Sequence, residues 1–168
     1  ADAESIGLLY ASTERGMYIC FDDGANWERF QLNLPIVPIT DLAIKDDNLI
    51  AATQGRSLWI IDDLTTLHQL TKDTKKNPLF LYKPKDAYRL SGGGGRTSRT
   101  AGTNHSGGVN IYYYIKDLNE KDTVSITISD ANNTPVKTFS NHPNKALKEG
   151  KLTVNEGNNT FNWNMMYD

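Results

Sequence analysis

The sequence contains a single cysteine, Cys20, in 168 residues, and it can therefore form no internal disulfide. A catalytic cysteine needs a polarising histidine within reach, whereas Cys20 lies inside an apolar strand-like pattern that favours a buried small side chain. Long hydrophobic runs are also absent, because no stretch approaches the roughly 20 apolar residues that cross a bilayer. No signal peptide is visible, which predicts that a leader was removed or lies upstream of this sequence.

The sequence also has little net charge and no pattern typical of an amphipathic helix. The net charge is −2 and the pI is near 5.9, whereas a nucleic-acid-binding protein would normally carry a basic stripe. No stretch sustains apolar residues at the i, i+3, i+4 and i+7 spacing of an amphipathic helix. Thr, Ile, Val, Tyr and Asn instead alternate with breaks rich in Gly and Asn, which predicts an all-β protein of short strands and turns.

An internal repeat organises the first part of the chain. The stretch LLYASTERGMYICFDDGANWERF begins at Leu8 and the similar stretch NLIAATQGRSLWIIDDLTTLHQL begins at Asn48, so the offset is 48 − 8 = 40 without a gap. In this alignment Tyr18 corresponds to Leu58. Each repeat is predicted to contain three strands, at 8–13, 17–22 and 27–31 in the first and at 48–53, 57–62 and 67–70 in the second.

The size of the repeat predicts the architecture. The alternating segment ITDLAIKD, which begins at Ile39, supplies a fourth strand for the second repeat. Four short antiparallel strands in about 40 residues are typical of one β-propeller blade. The sequence therefore predicts about two blades, the first of them incomplete. Two blades cannot close a ring, so their open edges and exposed blade face predict self-association between copies.

The turn after the second strand of the first repeat reads C-F-D-D-G-A-N-W, from Cys20 to Trp27. It resembles the Asp-box motif of bacterial neuraminidase repeats, S-x-D-x-G-x-T-W, with Asp22, Gly24 and Trp27 at the three most informative positions. Such a turn needs a carboxylate that accepts turn N–H groups and a glycine where φ is positive. A tryptophan that packs over the hairpin completes it. These three residues are predicted to be structural, without a catalytic role.

The wider segment is similar to the end of the propeller in large bacterial proteins described as sortilin-like or glycosyl-hydrolase-like. This resemblance covers most of residues 5–90 and, more weakly, 109–168. It implies a secreted, periplasmic or cell-surface protein and a parent that acts on glycans as a glycoside hydrolase. The catalytic groups would lie on other blades, so this chain alone is expected to be inactive. The alternatives are a sortilin-like propeller that binds proteins or peptides, and a structural or attachment module.

A composition change divides the chain. The run SGGGGRTSRTAGTNHSGG, from Ser91 to Gly108, has no helix after it that would make it a phosphate-binding loop, and it reads as a flexible linker. The predicted segments are two blades, a connector with the glycine-rich linker, and a β-sandwich, at 1–72, 73–108 and 109–168.

The last segment is predicted to be an Ig-like or fibronectin-like β-sandwich. Val124, Ile126 and Ile128 alternate with polar residues, and the turn sequence DANNT then leads into a second strand, which indicates a hairpin. An Ig-type sandwich has about seven strands, and this segment supplies only four or five. The sandwich is therefore predicted to be partial, unless Phe80–Tyr82 and Tyr88–Leu90 complete it.

The chain offers no complete catalytic set. Glycosidases place two carboxyl groups across a cleft, whereas consecutive strand residues point to opposite faces. The three histidines are isolated, without the spacing of metal ligands, so neither metal nor cofactor is predicted. The acidic residues that come in adjacent pairs are Asp22 and Asp23, Asp46 and Asp47, and Asp62 and Asp63.

In β-propellers the ligand site usually lies on one face of the ring. The loops of that face join the second to the third strand of a blade, counted from the innermost strand, or join one blade to the next. The corresponding loops here are 14–16, 54–57 and 33–35. Charged and polar side chains at such a rim suit a glycan or peptide ligand. The candidate ligand-binding residues are Glu14, Arg15, Gln54 and Arg56.

Overall fold

The computed structural model describes residues 1–70, 74–88 and 107–166, and it is all-β, with short helical turns between strands. The chain divides into two compact units, Ala1–Leu70 and Thr71–Asp168. In the described ranges no helix is long and apolar enough to cross a membrane. Of the predicted glycine-rich linker, residues 91–106 lie outside the described residues.

Unit 1 consists of two three-stranded antiparallel sheets, with strand orders β1-β2-β3 and β4-β5-β6. Both predicted repeats are thus present as sheets, and each sheet is open. The strands are β1 (Leu9–Thr13), β2 (Gly16–Cys20), β3 (Glu28–Arg29), β4 (Ile39–Lys45), β5 (Asn48–Thr53) and β6 (Leu58–Ile61).

The prediction of an outer strand at 67–70 is wrong, because the chain forms a short helix, α1 (Thr65–His68), in that region. The Asp63 carboxylate accepts a hydrogen bond from the Thr65 backbone N–H at 3.1 Å and another from the Thr65 hydroxyl. Side-chain bonds of this kind turn the backbone away from an extended conformation. The Leu64 side chain is completely buried. The second sheet therefore has three strands in the described residues, where four were predicted.

The strand register also shows that the ungapped alignment of the two repeats is wrong after the first strand. Leu9 pairs with Cys20 in the first sheet and Leu49 pairs with Ile61 in the second. The first strands are thus offset by 49 − 9 = 40 residues and the second strands by 61 − 20 = 41. The second hairpin has one extra residue, so the structural equivalent of Tyr18 is Trp59 and not Leu58.

This register defines two faces in each sheet, because directly paired residues project on the same side. In the first sheet, face A carries Tyr10, Ser12, Met17 and Ile19, and face B carries Leu9, Ala11, Tyr18 and Cys20. In the second sheet, face A carries Ile50, Ala52, Leu58 and Ile60, and face B carries Leu49, Ala51, Trp59 and Ile61.

The core of unit 1 lies between face A of the first sheet and face B of the second. Met17 is buried with Leu49 and Ala51, while Tyr10 and Trp59 pack against this cluster. The two sheets therefore stack head to tail: one kind of face in the first repeat covers the other kind in the second. The near-continuous apolar strands of the sequence supply both faces.

Unit 2 contains two further three-stranded sheets, with strand orders β12-β8-β7 and β11-β10-β9. The predicted hairpin is confirmed, because β9 and β10 pair antiparallel and the Asp130 carboxylate accepts the Asn132 and Thr134 N–H groups, each at 2.8 Å. The strands are β7 (Leu79–Leu81), β8 (Val109–Ile115), β9 (Ser125–Ser129), β10 (Pro135–Ser140), β11 (Gly150–Lys151) and β12 (Gly157–Trp163).

β7 lies inside the segment predicted to be the connector, and it pairs antiparallel with β8. Tyr88 is exposed and lies outside any strand, and residues 89–90 lie outside the described ranges. The core of this unit includes Ile111, Tyr113 and Leu152.

Candidate functional site

The hairpin between β1 and β2 presents Glu14 and Arg15 to solvent. Its conformation is fixed by Thr13, whose hydroxyl accepts a hydrogen bond from the Arg15 N–H at 3.2 Å and donates one to the Gly16 carbonyl at 3.1 Å. Both candidate side chains therefore project from an ordered two-residue turn.

The hairpin between β5 and β6 is held in a similar way. The Thr53 hydroxyl donates to the Ser57 carbonyl at 2.6 Å, and the Thr53 N–H donates to the same oxygen at 3.3 Å. Gln54 and Arg56 are exposed. The Trp59 indole N–H donates to the Arg56 carbonyl at 2.9 Å, which ties the loop to the strand that follows.

The register makes the two arginines structural equivalents, since 56 − 15 = 41 is the offset of the second strands. Each arginine immediately precedes the residue whose carbonyl accepts the threonine hydroxyl. In the part of the chain that the structure describes, Glu14, Arg15, Gln54 and Arg56 make no ion pair or hydrogen bond with one another. The four residues belong to two hairpin loops, each of which carries one exposed arginine.

Gln31, which sequence reasoning missed, holds the third candidate loop against β2. Its carboxamide N–H groups donate to the carbonyls of Leu34 and Pro35 at 2.8 and 3.0 Å, and its carboxamide oxygen accepts from the Met17 N–H at 3.4 Å. A Cβ at Gly16 would lie 2.1 Å from that oxygen. Glycine at position 16 therefore leaves room for the Gln31 side chain. The contact between Gln31 and β2 forms only in the folded chain, so the sequence pattern does not reveal it.

Beside this loop lies a narrow groove along the second sheet, with a cavity volume of about 30 Å³. Its wall combines apolar side chains with the amides of Gln31 and Asn33 and the Trp59 ring. β6 is the edge strand of its sheet in the described residues, so one side of its backbone is available to a partner. The groove is a second candidate binding surface that the sequence analysis did not identify.

The turn from Cys20 to Trp27, which resembles the Asp-box motif, is held by Asp22 and Gly24. The Asp22 carboxylate accepts the Asn26 backbone N–H at 2.7 Å and the Asn26 carboxamide N–H at 2.6 Å. Gly24 has φ = +97°, and its N–H donates to the Cys20 sulfur at 3.0 Å. Trp27 leaves 44% of its surface exposed. The Asp22 carboxylate is thus occupied by the turn.

We expect Asp22→Ala to lower the free energy of unfolding by about 1–2 kcal/mol, because two N–H groups of the turn lose their acceptor. The control is Asp62→Ala, which removes an exposed carboxylate from the second repeat and should change stability by less than about 0.5 kcal/mol. Urea denaturation of the full chain measures both values. Equal effects of the two substitutions would show that the Asp22 bonds contribute nothing.

A polar network around the buried Asp2 carboxylate joins the two ends of unit 1. The His68 ring is 3.0 Å from the Asp2 carboxylate through Nε2 and 3.7 Å from Glu4 through Nδ1. One carboxylate oxygen each of Glu4 and Asp47 and one ring nitrogen of His68 lie within 4.8 Å of one another, close enough to bind one metal ion together. Burial, and then the charge and hydrogen bond of Asp2, raise the pKa of the Tyr10 phenol. Sequence spacing could not reveal this network, because His68 lies 66 residues from its partner Asp2.

No protein-family model, curated protein or solved structure matches this chain. The two hairpin loops and the groove are therefore assigned from their own geometry.

Proposed function

We propose that unit 1 is a pair of consecutive blades of a secreted bacterial Asp-box β-propeller. It binds a glycan through the β1–β2 and β5–β6 hairpin loops and contributes no catalytic groups. The observation that carries this proposal is the head-to-tail stacking of two sheets that repeat one strand pattern. Propeller blades stack in this sense, with each blade covering the next. The resemblance of the Asp-box turn to bacterial neuraminidase repeats supports the same assignment.

The side chains of the β1–β2 and β5–β6 hairpin loops suit a ligand that is polar, rich in hydroxyl groups or acidic. Arg15 and Arg56 are exposed and occupy equivalent positions in the two repeats, in loops that also carry Glu14 and Gln54. A guanidinium donates several hydrogen bonds in a fixed fork, which matches carboxylates and paired hydroxyl groups. Two such forks on successive blades suit an oligosaccharide that spans both loops.

The acidic pairs support binding without catalysis. Asp22 and Asp63 accept hydrogen bonds within their own turns. Asp46 and Asp47 have φ of +50° and +59°, which places them in the tight turn between β4 and β5. Glycoside hydrolysis needs two carboxyl groups that face each other across the bound sugar. In the parent protein, we assign those groups to other blades.

The test is calorimetric titration of the full chain with uronic-acid-containing oligosaccharides. We expect the double substitution Arg15→Ala and Arg56→Ala to weaken binding by about tenfold or more, because both charge-assisted contacts are lost. Arg29→Ala is the matched control, since Arg29 is an exposed arginine on β3 outside the loops. Binding that is unchanged in the double variant would overturn the assignment of these loops.

A second candidate is a sortilin-like propeller that binds a peptide, and the groove beside β6 favours it. An extended peptide can add a strand to an open sheet edge while its side chains enter apolar pockets. The groove supplies both an edge strand and an apolar wall that includes Leu32, Leu34 and Trp59. Titration of the same protein with an apolar decapeptide separates the two ligands, since Arg15 and Arg56 do not line this groove.

A further inference from the structure

A histidine and two carboxylates converge where the N-terminal segment, the β4–β5 turn and α1 meet. One oxygen each of Glu4 and Asp47 and one ring nitrogen of His68 lie within 4.8 Å of one another. The Nδ1 atom of His68 is 3.7 Å from the Glu4 carboxylate. Two ligands of a tetrahedral zinc ion are about 3.3–3.4 Å apart, since each lies about 2.0–2.1 Å from the metal. The spacing of this pair is therefore close to that of two atoms that share a cation.

The other ring nitrogen of His68 is held by a buried carboxylate. Nε2 lies 3.0 Å from Asp2, whose side chain is only 1% exposed. Asp2 also accepts hydrogen bonds from the Glu4 backbone N–H at 2.9 Å and from the Tyr10 hydroxyl at 3.5 Å. Metal-binding histidines almost always donate their other ring N–H to a carboxylate, a carbonyl or water, which fixes the tautomer. A proton on Nε2 that is donated to Asp2 leaves the lone pair of Nδ1 on the side of Glu4.

Hydrogen bonds hold the β4–β5 turn beside α1. The Asp47 carbonyl accepts from the Leu64 N–H at 2.7 Å, and the Asn48 carboxamide oxygen accepts from the Asp63 N–H at 3.0 Å. Leu64 directly precedes α1, which carries His68. The turn and the helix are thus joined before any ion binds, so that binding has few residues left to order.

The charge balance of the cluster favours a dication over a proton. Without a metal, a protonated His68 would bridge Asp2 and Glu4 as an ion-pair network. Asp47 adds a third carboxylate beside the same ring, whereas the imidazolium supplies one positive charge at most. A bound dication compensates more of this negative charge than a proton does.

We propose that Glu4, Asp47 and His68 bind a divalent transition-metal ion of the Zn²⁺ type. Asp2 is the positioning residue that orients the His68 ring. One imidazole with two carboxylates suits Zn²⁺, whereas Ca²⁺ and Mg²⁺ prefer ligands that are all oxygen. The Glu4 side chain is 66% exposed, so an ion can reach the site from solvent.

This site is separate from the proposed ligand loops. β5 runs from Asn48 to Thr53, so Asp47 and Gln54 lie at opposite ends of that strand. The metal proposal therefore does not depend on glycan binding. It adds a cation that connects both ends of unit 1 through side chains on three separate segments.

The experiment is calorimetric titration of the full, chelator-treated chain with ZnCl₂. We expect one Zn²⁺ to bind per chain, and His68→Ala to abolish this binding. The matched control is His142→Ala, which removes an exposed histidine of unit 2 and should leave the affinity unchanged. CaCl₂ in place of ZnCl₂ should bind about a hundredfold more weakly or not at all, because Ca²⁺ gains little from an imidazole.

Two carboxylate variants keep the test decisive should His68→Ala fail to fold. Glu4→Gln changes an exposed side chain and should weaken Zn²⁺ binding by about tenfold or more, because a ligand loses its charge. Glu28→Gln, at an exposed position on β3, is its control and should have no effect. Asp2→Asn should weaken binding by about 10–100-fold through the His68 ring. Nitrogen-15 NMR of that ring should show Nδ1 shifted by Zn²⁺ and Nε2 still protonated.

Four results would overturn the proposal. The first is a wild-type chain that binds no Zn²⁺, and the second is binding that is equally tight in wild type and in Glu4→Gln. The third is equal affinity for Ca²⁺ and Zn²⁺, which would exclude a role for the imidazole. The fourth is a zinc shift at Nε2, which would remove Asp2 from the role assigned to it. Oligosaccharide binding by Arg15 and Arg56 is measured separately, so the two proposals fail independently.

Discussion

Leu49→Ala should lower the free energy of unfolding by about 2–5 kcal/mol. Leu49 is 1% exposed, and it is buried with Met17, Ala51 and Leu64 in the core between the two sheets. Removal of its isobutyl group leaves a cavity where two sheets meet, and rigid sheets collapse into a cavity only in part. Urea denaturation of the full chain measures the loss.

Ile36→Ala is the control for this prediction. Ile36 belongs to the same unit and is 69% exposed, so the same class of truncation removes little buried surface. We expect a change of less than about 0.5 kcal/mol. A Leu49→Ala variant as stable as Ile36→Ala would mean that the two sheets of unit 1 do not pack on each other in solution.

Gly108→Ala should destabilise unit 2 by about 2–4 kcal/mol. Gly108 has φ = +100°, and a Cβ at this position would lie 2.3 Å from the carbonyl oxygen of Trp163. The obstacle is backbone, and Val109 pairs with Trp163 at the end of the ladder between β8 and β12. Alanine would therefore have to push two paired strands apart, or leave the left-handed conformation.

The neighbouring glycine provides the matched control. A Cβ at Gly107 would meet no heavy atom within 4 Å. Gly107→Ala should change the stability by less than about 0.5 kcal/mol. Hydrogen exchange of the β8 and β12 amides, compared between the two variants, locates the effect. Equal protection of these amides in Gly107→Ala and Gly108→Ala would contradict the predicted clash.

The sequence by itself determined the all-β character, the two similar sheets and the turns. These features depend on local chemistry: alternating apolar residues make strands, and Asp or Gly at defined positions makes turns. Asp22 and Gly24 have the hydrogen bonds and the positive φ that the turn chemistry requires. The Asp130 turn joins β9 to β10 for the same reason.

Only the tertiary structure decided the register, the faces and the end of the second repeat. One extra residue in the β5–β6 hairpin moves every side chain of β6 to the opposite face, because strands alternate with a period of two. The sequence alignment had no gap to reveal that residue, and it paired Tyr18 with Leu58. The strand predicted at 67–70 failed because the Asp63 carboxylate and the buried Leu64 side chain favour a helical turn. Which apolar face is covered, and which remains open, depends on contacts between residues far apart in the chain, and local patterns carry no information about them.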